Sequence, residues 1–260
     1  MKISIITTSY NSEKTISQTI ESVMNQKRVD LEYIIIDGLS KDSTMDIVKK
    51  YRKNNSNIIA ISEKDNGIYD AMNKGIKIST GDIIGILNSD DRYSYNMVLH
   101  DVAEAFVNHE IDCCYGNILY IKDNKPYRYW KAGQPRTFKY GWMPPHPAFF
   151  VKKSVYEKYG LFRLDCGVNA DYELMLRFME FRKARTKWID KTFVLMRAGG
   201  RSNNGFQSRI DALDDNKIAW RKNGINPALY TIALKRIRKI NQFALAKLYS
   251  NKLTKLIHDQ

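Results

Sequence analysis

No stretch of this chain approaches the ~20 consecutive apolar residues that a membrane-spanning helix needs, so no helical span is expected. Cysteine is scarce too: Cys113, Cys114 and Cys166 are an odd, sparse set without metal-ligand spacing. That excludes a disulfide frame and a thiolate metal site, and fits reduced thiols filling a core in the cytoplasm. There is no Walker sequence and no GxGxxG run, so no glycine-rich loop is present to cradle a phosphate. Repeats and low-complexity segments are missing, and the opening MKISIITTSYN turns polar too early for a secretory signal.

Acid is short in one half only. Residues 1–120 carry 13 Lys/Arg against 17 Asp/Glu, whereas residues 121–260 carry 29 against 11. The second half is therefore expected to face something anionic: nucleic acid, an anionic membrane surface or a phosphorylated substrate.

What is present is strand–helix alternation. Ile3–Thr7, Tyr33–Asp37, Ile58–Ser62 and Ile83–Leu87 read as strands. Helix-period segments fall between them, with Ile16, Ile20, Val23 and Met24 in the first, Ser43–Lys53 as the second and Tyr69–Ile78 as the third. This spacing predicts an α/β fold with a mostly parallel sheet and helices on both faces. Beyond Asp91 the expected elements are a helix over Met97–Val107 and a hairpin of Cys114–Ile121 and Tyr127–Trp130 around KDNK. A helix over Ala170–Phe181 and strands at Trp188-Ile189 and Phe193–Met196 follow.

Ligands of open parallel sheets bind beyond the carboxyl ends of the strands. That rule gathers four polar loops on one rim, beginning at Thr8, Asp37, Glu63 and Asn88. The last holds LNSDDRY, in which Asp90 and Asp91 stand side by side directly after an apolar strand. Like charges at a buried strand end are expensive unless a cation or a ligand relieves them. Acceptors of this kind suit base N–H groups, ribose hydroxyls and hard divalent cations.

The ordered set ISIITTSYN, IIIDGLSKDST, EKDNGIYDAMNKG, GDIIGILNSDD and NADYELMLRF, spanning roughly residues 2–200, resembles the inverting glycosyltransferases of family 2. That resemblance implies a GT-A, Rossmann-like fold, a nucleotide-sugar donor and a place among enzymes building bacterial surface polysaccharides. It implies that Tyr10 stacks on the donor base, beside Thr8, and that Asp37 accepts from a base N–H; Asp65 and Asn73 match positions near the donor. Asp90 and Asp91 match the metal motif, so Asp91 with Asp90 is expected to hold Mn²⁺ or Mg²⁺ and Asp90 to reach the ribose or the ion. Here Asn88 departs from the fuller Asp-x-Asp-Asp form. Asp171 matches the carboxylate that takes the acceptor's proton, with Glu173 the nearest rival and Ala170 standing where many relatives carry Glu. His146, between prolines, is placed at the diphosphate or the acceptor, or else is a packed loop histidine. Arg201, in the glycine-rich AGGRSNN, is a candidate phosphate contact on a mobile lid.

The last 44 residues hold ten Lys/Arg and one acid, Asp259. Tyr230, Leu234, Ile237, Ile240, Leu245, Leu248 and Leu256 fall near helical spacing, interrupted by Lys235, Arg236, Arg238 and Lys239. Such a helix is either a peripheral anchor on an anionic membrane or a helix packed on the catalytic domain with a solvated basic face. The expected division is a catalytic domain over 1–205, with a nucleotide-binding half 1–91 and an acceptor half 92–205, and a basic helical extension over 206–260. The expected reaction is metal-dependent transfer of a sugar, with inversion, from a UDP-sugar to a saccharide or polyprenyl-diphosphate-linked acceptor. The competing expectations are an inactive nucleotide-sugar-binding relative and, below it, a basic nucleic-acid-binding protein, which lacks any recognisable nucleic-acid motif.

Overall fold

The computed structural model describes residues 1–107, 110–199 and 216–258. Four parallel strands come first: β1 Lys2–Ser9, β2 Asp30–Asp37, β3 Ile58–Ser62 and β4 Ile83–Ile86. Between them lie α1 Ile16–Met24, α2 Thr44–Asn54 and α3 Ile68–Ile78. These strands are apolar on both sides because helices cover both faces of the sheet. Tyr33 and Ile35 enter the core on one face; Ile34 and Ile36, turned over by the strand's two-residue period, enter the core on the other. Gly75 lets α3 lie close on β1, since a Cβ there would come within 2.5 Å of the Ile6 side chain.

The other half of the sheet is mixed. β5 Asp91–Tyr93, α4 Val98–Val107, β6 Cys113–Lys122, β7 Lys125–Trp130, β8 Phe149–Lys152 and α5 Lys153–Tyr159 follow in order. Next are α6 Ala170–Met175, which runs into a π turn over Leu176–Phe181, and β9 Thr186–Arg197. The sheet order is β3-β2-β1-β4-β8-β6-β9-β5, with β7 on β6. β8 is antiparallel to β4 and carries the sheet across from the parallel half. The KDNK hairpin forms as expected, with Asp123 and Asn124 both at positive φ, the conformation of a tight two-residue turn. The two short strands expected near 188 and 194 are one continuous strand, β9.

The chain ends in α7 (residues 216–221), α8 Leu229–Leu248 and α9 Ser250–His258. Ala246, Leu253 and Ile257 pack with Leu119, Tyr129 and Leu195 into a third core under the sheet's mixed half. The apolar residues of the tail therefore divide. Leu245 and Leu256 turn inward, while Tyr230, Ile237, Ile240 and Leu248 are exposed. Gly141, at φ +68°, is where α8 rests: a Cβ there would collide with the backbone nitrogen of Lys235. Among the described residues no helix is long and apolar enough to cross a membrane. Cys113, Cys114 and Cys166 are buried and free, as expected of core filler.

Candidate active site

The loops after β1 to β4 line a cleft of about 2220 Å³ whose wall also includes Trp142, His146, Asp171 and the inner face of α8. Tyr10, 43% exposed, stands in this wall. A Cβ on Gly38 would lie 2.5 Å from Asp65 Oδ2 and 3.6 Å from the Tyr10 ring, so these three residues meet at one place. Asp65 Oδ1 accepts from the Gly67 N–H at 2.9 Å.

Asp37 is not on that wall. It is fully buried, and its carboxylate accepts from Ser9 Oγ (3.0 Å), Ser62 Oγ (2.7 Å), Ser40 Oγ (2.5 Å) and the Ser40 N–H (2.9 Å). These bonds tie the ends of β1, β2 and β3 together beneath Gly38. Asn73 is likewise turned away: its Nδ2 donates to the Phe162 carbonyl and its Oδ1 accepts from the Phe162 N–H, both at 2.9 Å. It joins α3 to the segment before α6.

Asp91 opens β5, opposite Met196, and is 1% exposed. Asn88 Nδ2 donates to its Oδ2 at 3.2 Å. Three buried oxygens nearby in sequence or on the same rim, Asp91 Oδ1, Asn88 Oδ1 and Thr8 Oγ1, have no hydrogen-bond partner among the described residues. Burial pushes the Asp90 carboxyl up, and burial together with the charge of Asp90 pushes Asp91 up much further. Orphaned buried oxygens on and beside an acid pair are what a hard divalent cation would satisfy. Among the described residues no three His, Cys, Asp or Glu side chains gather, so an ion here would need oxygens from a ligand to fill its shell.

Asp171 lies in the first turn of α6, on the cleft wall. Its Oδ1 accepts from the Tyr172 N–H at 2.7 Å and lies 3.2 Å from the Tyr69 hydroxyl. The rival carboxylate Glu173 is fully buried on another side of the helix. Arg177 grips both its oxygens at 3.1 Å, while Arg163 at 3.2 Å and Asn223 at 3.0 Å add to one. His146 is buried, edge-on to Phe162 at 5.6 Å; burial lowers its imidazole against the opposing pull of Asp171. Arg201 lies outside the described residues.

The family profile described as Glycosyl transferase family 2 matches residues 4–165. The chain belongs to glycosyltransferase family 2. A PGL/p-HBAD biosynthesis glycosyltransferase of Mycobacterium tuberculosis is 28% identical over 176 residues, 67% of this chain and 68% of that one. An uncharacterized glycosyltransferase of the same organism is 33% identical over 188 residues, with the same coverage of both chains. In fold, the transferase resembles Staphylococcus aureus TarS 1-349 in complex with UDP-GlcNAc, at TM-score 0.67 and 18% identity over 92% of this chain and 72% of that one. The mannosyltransferase PcManGT of Pyrobaculum calidifontis, in complex with GDP-Man and Mn²⁺, gives 0.65 and 15% over 98% and 71%. The α/β, GT-A-type architecture read from the sequence is thus the fold of the transferase.

Several cleft residues escaped the sequence reading. Tyr69 reaches Asp171 from α3, and the buried Arg128 guanidinium lies 3.6 Å over the Tyr120 ring on β6. Lys235 was legible only as one charge of a basic run. In the transferase its ammonium sits 3.6 Å over the Tyr172 ring and donates to Asn216 Oδ1 at 2.7 Å. Burial pushes it down to about 8, with Asp171 pulling the other way and Lys239 adding to the fall. Residues far apart in sequence share no periodicity, so no local pattern could have joined α8 to Asp171.

Proposed function

We propose that the transferase moves a sugar from a nucleotide-sugar, a UDP-sugar, to a hydroxyl of a saccharide or lipid-linked saccharide, with inversion, in cell-surface polysaccharide biosynthesis. The observation that carries this is one cleft lined by an aromatic beside a carboxylate, by Asp90, Asn88 and Thr8 with Asp91 buried behind them, and by the helix-start carboxylate Asp171. Complexes of fold neighbours with UDP-GlcNAc and with GDP-Man and Mn²⁺ support it.

In this reading Tyr10 stacks on the base and fixes its plane. Asp65, bared by the missing side chain of Gly38, accepts the base N–H, and Asp37 acts one layer below by holding the loop that carries Gly38. Asn73 serves the donor only through the Phe162 segment it anchors. Asp91, Asp90 and the Asn88 amide oxygen would hold Mn²⁺ or Mg²⁺, which would neutralise charge gathering on the departing nucleoside diphosphate. Asp171 takes the proton of the acceptor hydroxyl as its oxygen attacks the anomeric carbon from the face opposite the leaving group; the old glycosidic bond breaks and its electron pair leaves with the diphosphate. Tyr69 and the Tyr172 N–H hold Asp171 in place, and His146 stays neutral beside it. Arg201 is assigned to the donor phosphates from its sequence context alone.

The transferase works at the inner face of the plasma membrane, resting there on α8. Ile237, Ile240 and Leu248 are 54%, 67% and 74% exposed, on a chain whose second half is strongly basic. An apolar strip amid cations suits an anionic bilayer surface.

Thermal-shift titration with nucleoside diphosphates and nucleotide-sugars, in Mn²⁺, Mg²⁺ or chelator, tests the donor site. A metal-enhanced rise with uridine nucleotides is expected. No rise with any nucleotide in any metal would sink the proposal.

A further inference from the structure

One group of cations on the cleft wall differs from the ion-paired cations of the chain, among them Lys131, which shares that wall and meets Asp190 at 2.9 Å. Lys2, Lys74, Arg177 and Arg185 each meet a carboxylate within 3.1 Å. Among the described residues, Arg128, Lys235, Arg236 and Arg238, all on the cleft wall, have no carboxylate within salt-bridge reach. The partners they do have are neutral. Lys235 takes the Asn216 amide oxygen, Arg238 Nε takes the Tyr140 carbonyl at 2.9 Å, and Arg128 lies on an aromatic face. They also stand against their own kind, Lys235 feeling Lys239 and Arg238 feeling Arg136.

Gathering like charges in a partly buried wall costs free energy unless an anion completes the site. Two features make the arrangement deliberate in the fold. Gly141 is the point that lets α8 come close enough for Lys235 to reach Tyr172, and Thr231 Oγ1 pins the helix start to the Lys139 carbonyl at 2.7 Å. The cluster shares the cleft wall with Asp171, whose charge acts on Lys235, and it lies on different elements from Tyr10, Gly38 and Asp65.

Resting on the proposed reaction, in which Asp171 acts on the acceptor hydroxyl, we propose that α8 and β7 form an acceptor phosphate site. Lys235, Arg238, Arg236 and Arg128 hold a phosphate or diphosphate that links the acceptor sugar to its carrier, so the transferase selects phosphate-linked over neutral saccharides. The chemistry recognised is a phosphoryl group with several charge-assisted N–H donors around it.

The test uses the full chain saturated with UDP and Mn²⁺, so that the donor site is already filled, and measures binding of farnesyl diphosphate against farnesol by calorimetry. Farnesyl diphosphate is expected to bind without displacing UDP, and farnesol at least tenfold more weakly. Lys235→Met, which keeps a long apolar stem over Tyr172, and Arg238→Gln should each weaken farnesyl diphosphate about tenfold and leave UDP affinity within twofold; Lys235→Arg should restore most of the loss. Competition between farnesyl diphosphate and UDP would assign these cations to the donor and overturn the proposal. So would equal binding of diphosphate and alcohol, or unchanged binding by both variants. A parallel arm uses phosphatidylglycerol vesicles. Loss of vesicle binding in the variants with soluble diphosphate binding intact would make the ligand a lipid headgroup and likewise overturn it. Loss of UDP binding by the unmodified chain would instead count against the donor site, a separate failure.

Discussion

Asp91→Asn is expected to make the empty protein more stable and the working protein worse. Asp91 is 1% exposed, its Oδ1 has no hydrogen-bond partner among the described residues, and its charge faces that of Asp90. At a separation of ~6 Å and an effective dielectric of ~20, two like charges repel by about 3 kcal/mol. Part of that is already relieved, because burial and Asp90 raise the Asp91 carboxyl well above the usual carboxylate range. A net gain of about 1–2 kcal/mol is the reasonable remainder, and at ~2–4 °C per kcal/mol for a chain of this size it becomes a rise in Tm of about 2–8 °C. The amide keeps an oxygen for the Asn88 Nδ2 contact, so local packing is preserved. Calorimetry in chelator reads the stability, and the same scan with UDP and Mn²⁺ reads the function. The unmodified chain should gain Tm from UDP mainly when metal is present, and the variant should gain much less. A variant that melts lower in chelator, or that keeps the full metal-dependent UDP shift, would refute the view that this acid pair is held at a folding cost for a cation.

Asp171→Asn should retain UDP affinity within twofold and lose about 10²–10⁴ in kcat, measured on any acceptor that turns over. Glu173→Ala strands the buried Arg177 and should cost about 3–5 kcal/mol in urea unfolding, because Glu173 is wholly buried and gripped at both oxygens. Burial raises the Glu32 carboxyl, but hydrogen bonds from Ser4, Thr80 and Lys2 outweigh it and hold the group down at about 2, against an ordinary 4.5. Its stabilisation is thus complete above about pH 4.5 and lost as the pH falls towards 2, so Glu32→Gln should flatten the Tm-against-pH curve in that window. Ile240→Asp, on the exposed face of α8, should cut co-sedimentation with phosphatidylglycerol vesicles several-fold and leave Tm within about 2 °C, as surface changes generally do.

The parallel half of the sheet was legible in the sequence because its information is local. The continuous apolar run Tyr33–Ile36 and the helical stripe Ile16, Ile20, Val23 are properties of neighbouring residues, and the strand-end rule then places Thr8, Tyr10, Asp65 and Asp90 on one rim. The motif order was enough to point to the family that the profile match establishes. Residue type and spacing could not tell an acid that faces the cleft from one that serves the frame. Asp37 ends β2 and Asp65 lies in the loop after β3, yet three serines seal the first while the second meets Tyr10 across Gly38. Asp171 and Glu173 are two residues apart, and a helix turns them about 200° from each other, one to the cleft wall and one to Arg177. Only the tertiary structure decided where the basic tail goes. Its charge and periodicity allowed a membrane face and a packed face alike; in the structure Leu245 and Ala246 lie against the sheet, Ile237 and Ile240 are exposed, and Lys235 reaches the cleft wall over the bare backbone of Gly141. Contacts between residues so far apart in sequence are set by how layers stack, and stacking leaves no trace in any local window.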